Sequence, residues 1–93
     1  MPYIPAKDRP KYDVVIAQVP TLQSVGDLNY VLTEICARYL LDRGLRYEYQ
    51  EDITGVLNHI DGEFKRRLLY PYEDKKIREH GDTAGFRELL KKL

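Results

Sequence analysis

The chain has 93 residues, 43% of them apolar and 32% charged, which suits one folded domain, residues 1–93, with no room for a second core. Fifteen basic and fifteen acidic side chains cancel, so general DNA binding is not expected, although a local basic patch remains open. The single cysteine, Cys36, excludes an intramolecular disulfide and a cysteine-built zinc cluster.

In chain order, the lead-in MPYIP is expected to be extended, because Pro2 and Pro5 fix φ and bias the residues before them away from helix. Asp8 is a candidate N-cap for a first helix with Pro10 in its first turn. Tyr12, Val15, Ile16 and Val19 recur at helical spacing until Pro20. TLQSVGD reads as a loop, and Ser24 or Asp27 can cap the second helix, expected over 27–43. There Leu28, Val31, Leu32, Ile35, Cys36, Tyr39 and Leu40 fall on one face, and Gly44 is placed to end the helix.

LRYEYQED is expected to be a connection, since its weak alternation has no partner strand. A third helix, 50–70, follows with the stripe Ile53, Val56, Leu57, Ile60, Phe64 and Leu68. Gly55 and Gly62 lie inside it and each costs about 1 kcal/mol against alanine, which close approach of a neighbouring helix would offset. Pro71 is expected to break or kink the pattern. YEDKKIREH then makes a short helix ended by Gly81, and Asp82 or Thr83 caps a last helix carrying Phe86, Leu89, Leu90 and Leu93. The expected fold is all-α: a small bundle with two long central antiparallel helices, covered by shorter N- and C-terminal ones.

No apolar run is long enough to span a membrane, and MPYIPAKDRP has no signal-peptide core. With a lone thiol, this makes the cytoplasm the expected compartment. Eight tyrosines against two phenylalanines and no tryptophan suit either interfaces or half-buried helix positions, and with the short core and the glycines Gly55 and Gly62 they make a homo-oligomer the expectation.

Catalytic chemistry has little to stand on. A nucleophile needs an adjacent base, and neither His59 nor His80 shares a motif with a serine or with Cys36, so no catalytic residue and no cofactor is assigned. Glu48-x-x-Glu51 and Glu79-x-x-Asp82 resemble the paired acids with which all-helical nucleotide pyrophosphohydrolases hold magnesium against a polyphosphate. This is the enzymatic alternative.

The stretch RRLLYPYEDKKIREHGD, residues 66–82, is the strongest candidate for a site. Arg66 and Arg67 precede Pro71, and Lys75 and Lys76 follow it. A kink would bring the two basic clusters together, with Tyr70 and Tyr72 offering ring faces. Arginine forks and lysine charges beside aromatic rings suit a phosphate or nucleotide. The competing expectation is that interspersed acids neutralise these bases, as in a Glu63–Arg67 pair, and that the stretch is a purely structural interface. Arg67 is expected to be the structural member, with Arg66, Lys75 and Lys76 exposed. Asn29 and Tyr30, at the expected first turn of the second helix, form a further anion candidate beside free backbone amides.

MPYI, GDLNYV, GVL followed by EF and RR, and PYEDKKI with GD after it resemble a family of short uncharacterised proteins of phages, bacteria and archaea, catalogued as a domain of unknown function. The resemblance covers roughly residues 1–82, which makes 83–93 an added C-terminal helix. It implies no activity. It does imply a characteristic polar set of Asn29, Tyr30, Glu63, Arg66, Arg67, Tyr72, Glu73, Asp74, Lys75 and Lys76. Phage carriage implies an accessory role, such as binding a host defence component or a nucleotide second messenger.

Overall fold

The computed structural model describes residues 3–93. Met1 and Pro2 lie outside the described residues, and with them part of the expected extended lead-in. The protein is all-α, with no strand among the described residues. Among the described residues a 3-10 turn, Ala6–Asp8, precedes five α-helices: α1 (Pro10–Gln18), α2 (Val25–Arg43), α3 (Tyr47–Phe64), α4 (Tyr70–His80) and α5 (Ala84–Leu90). A π-helical turn, Lys65–Leu69, stands between α3 and α4. The chain divides into two compact units, residues 1–53 and 54–93.

In the first unit Asp8 closes the 3-10 turn instead of capping α1. The cap position is Arg9, whose Nε donates to the Ile4 carbonyl at 3.1 Å. Pro10 opens α1, where a missing N–H leaves no bond unmade. The helix stops at Gln18 because Val19, preceding Pro20, is held extended. Helix α2 begins two residues before the expected Asp27. Ser24 Oγ accepts the Asp27 N–H at 3.0 Å, and Asp27 Oδ2 accepts the Gln23 N–H at 2.9 Å, so two otherwise orphaned donors are satisfied reciprocally. Gly44 ends α2 at φ 109° and ψ 156°, a conformation open essentially only to glycine.

LRYEYQED is not a connection throughout: the helix starts at Tyr47, with the Arg46 carbonyl accepting the N–H groups of Tyr49 and Gln50. Glu48, Glu51 and Asp52 then lie in the first two turns, where the positive end of the helix dipole favours acids. The alternating tyrosines and acids are helical residues whose apolar members happen to fall two apart.

In the second unit Pro71 does not interrupt the helix. Tyr70 N–H reaches back five residues to the Lys65 carbonyl, widening the turn just before the proline. In a regular helix the ring of Pro71 would press on the Arg67 carbonyl. The wide turn relieves that crowding, and the proline has no N–H to leave unpaired. Gly81 ends α4 at φ 86°, and Thr83 caps α5 by accepting the Phe86 N–H at 3.2 Å.

The apolar stripes have the expected spacing, but no described residue is buried. Val31, Cys36, Ala37, Tyr39, Leu40, Tyr49 and Ile53 in the first unit are half-buried, while Ile35 on the same helix is 61% exposed. In the second unit Phe64 is 62% and Leu68 64% exposed. Neither unit therefore closes a core over its own stripe, and the expected bundle packing is not seen within either one. No described helix is long and apolar enough to cross a membrane.

Candidate functional site

The basic stretch lies on the π turn and α4. Glu63, one turn upstream, holds both arginines. Arg66 Nη2 donates to the two Glu63 carboxylate oxygens at 3.0 Å each, and Arg67 Nη1 stands 3.8 Å from the second. The Arg66 hydrogen bond holds the Glu63 carboxyl below the usual carboxylate range, helped by the charges of Arg66 and Arg67. The closer partner is thus Arg66, not Arg67, because the helical stagger brings the i+3 side chain more directly over Glu63. Both guanidinium groups remain largely open to solvent. Lys65 pairs with Asp61 at 2.8 Å, and that hydrogen bond raises the Lys65 pKa.

Beyond the proline, Lys76 Nζ sits 5.4 Å from the Tyr72 ring centroid and 3.3 Å from Glu79 Oε2. Tyr72 and Lys76 are four apart and share a face. Tyr70, two residues before Tyr72, falls on the opposite side of the helix. Among the described residues Lys75 makes no ion pair. With the helix unbroken at Pro71, Arg66 and Lys76 are about 15 Å apart along the axis, so the expected kink does not bring the two basic clusters together. The stretch presents a ladder of cations on a rod, not a cradle.

Asn29 and Tyr30 fall in the second turn of α2, since the helix starts at Val25. They are one turn past the free amides on which the anion expectation rested. Asn29 Oδ1 accepts the Thr33 hydroxyl at 2.9 Å, which gives this helical asparagine a structural role.

Of the acidic pairs, Glu48 and Glu51 share a face of α3, and Glu48 pairs with Arg46 at 3.0 Å. Gly81 separates Asp82 from the helix of Glu79, and Asp82 Oδ1 accepts the Thr83 N–H at 2.7 Å. The two pairs belong to different units, and among the described residues no three His, Cys, Asp or Glu side chains gather to hold a metal ion.

One feature of the first unit was not anticipated. The Tyr39 hydroxyl donates to Asp52 Oδ2 at 3.0 Å, and the Arg43 guanidinium lies 4.0 Å from the Tyr39 ring centroid. Spacing places Tyr39 and Arg43 four apart on α2, so their stacking was legible. The bond to Asp52 depends on the path of the chain through Gly44 and was not.

No curated protein and no solved structure matches the chain. A family model does, over residues 1–83, which leaves α5 beyond the matched part. The chain belongs to the family of the domain of unknown function DUF6899.

Proposed function

We propose that this protein is a non-enzymatic binding module that works as a homo-oligomer, with an anion-receptive strip on the π turn and α4. One observation carries the oligomer: no described residue is buried in a chain that is 43% apolar. Burying a Val, Leu, Ile or Phe side chain stabilises by about 1.5–3 kcal/mol relative to leaving it in water. Helices of nine and seven residues, as α1 and α5 are, do not persist alone in water. Further copies of the chain supply the missing cover.

The ligand half of the reading rests on Lys75, Lys76 and Tyr72, with Tyr70 on the other side. The unpaired Lys75 ammonium, beside a Lys76 shared between the Tyr72 ring and Glu79, suits a phosphate joined to a planar base, as in a nucleotide or nucleotide second messenger. Arg66 and Arg67 join only where a phosphate displaces Glu63. A host protein, such as a defence component, is the alternative partner, and carriage by a phage belongs with it. Thermal-shift screening against nucleotides and cyclic dinucleotides tests the ligand. A shift abolished by Lys75→Glu together with Lys76→Glu is expected, and no shift with any of them rejects a nucleotide ligand.

Two other readings each have an observation in their favour. The Glu63 clamp on Arg66 and Arg67 favours a purely structural module. The helical face shared by Glu48 and Glu51 favours a magnesium-dependent pyrophosphohydrolase. Phosphate or pyrophosphate release from a nucleotide panel with magnesium separates that enzyme from both binding readings.

A further inference from the structure

We infer that the face of Leu57, Ile60, Phe64 and Leu68 is the contact between two copies of the chain, packed antiparallel and crossing near Phe64. This rests on the homo-oligomeric reading above and assigns it a surface. All four side chains are exposed, and no element of their own unit covers them.

The π turn keeps the face straight. Residues four apart in an α-helix drift by about 40° around the axis, so a row spaced mostly by fours slides away from any straight partner. The extra residue in the turn Lys65–Leu69 takes that drift back and returns Leu68 to the line of Phe64. Tyr72, with Lys76 over its ring, stands past the end of this line and stays outside the contact.

Charge makes the face self-complementary. One flank carries Asp61 and Lys65, and the other carries Glu63 and Arg67, each an acid four residues before a base. Reversing a second copy about Phe64 brings Asp61 within a turn of the partner's Lys65, and Glu63 within a turn of the partner's Arg67. Ion pairs made within one chain can then be shared between two, and zero net charge leaves no overall repulsion.

Sedimentation of the full chain and three variants at micromolar concentration, with circular dichroism on each, tests the assignment. The wild-type chain is expected at a multiple of 10.9 kDa. Phe64→Lys places a charge at the crossing, and Asp61→Lys sets a cation against the partner's Lys65. Each is expected to weaken association by about tenfold or more. Leu41→Lys, on α2 outside its apolar stripe, is expected to leave the mass unchanged. A wild-type monomer overturns this inference together with the oligomeric reading. An oligomer that neither Phe64→Lys nor Asp61→Lys weakens overturns the face alone. Where Phe64→Lys loses its helicity, Asp61→Lys decides, because that side chain is 58% exposed and its replacement leaves the helix intact.

Discussion

The Tyr39 hydroxyl donates to the Asp52 carboxylate at 3.0 Å, thirteen residues along the chain, with Arg43 stacked on the same ring. It links α2 to the first turns of α3 across the Gly44 turn. The hydrogen bond to Asp52 raises the Tyr39 pKa above its ordinary 10.0, aided by desolvation. A group whose pKa is raised on folding contributes stability that is complete below its unfolded value and is lost as pH climbs through the folded one. Thermal melts of the wild type should therefore fall as pH rises above 10. Tyr39→Phe should melt lower at neutral pH and show a shallower loss in that alkaline range.

Glu63 works at the opposite end of the scale. Its pKa is lowered by the Arg66 hydrogen bond, so its contribution is present above the ordinary 4.5 and is lost as pH falls below it. Acid titration followed by circular dichroism should show an added loss of stability in that window, absent from Glu63→Gln. The same variant frees Arg66 and Arg67. Nucleotide affinity at neutral pH should rise in Glu63→Gln if these arginines belong to the binding strip, and stay unchanged if Lys75 and Lys76 act alone.

Gly81 and Gly55 should respond to alanine with opposite signs. Gly81 sits at φ 86°, and an added Cβ would meet Arg87 Nη2 at 2.9 Å. Gly81→Ala should cost about 1–3 kcal/mol for the backbone alone. Gly55 and Gly62 are interior helical glycines with nothing within 4 Å of an added Cβ. Within one chain each alanine should stabilise by about 1 kcal/mol. If a helix of another copy approaches there, the double alanine variant should instead lower the melting temperature and the assembled mass together.

Much of the local structure is legible in the sequence. The 3.6-residue period, Gly44, Gly81 and the Thr83 cap located α2, α4 and α5, because each depends on residues within one or two turns. The start of α3 was misplaced because tyrosines and acids at 47–52 alternate like a strand, whereas their helical register is set by Arg46 and the dipole. The π turn was hidden for a different reason. Pro71 announces a disturbed helix, but whether the chain breaks or widens depends on how the preceding carbonyls are satisfied. For the site, the Glu63–arginine contacts could be read from i+3 and i+4 spacing. The separation of the two basic clusters could not, because it follows from the unbroken helix.

The mass of the untagged chain in solution tests most directly whether its exposed stripes are completed by further copies. Sedimentation equilibrium at micromolar concentration should return twice 10.9 kDa or a higher multiple, with the associated form more helical than diluted protein. A single 10.9 kDa species, helical and cooperatively folded across the whole concentration range, would contradict it.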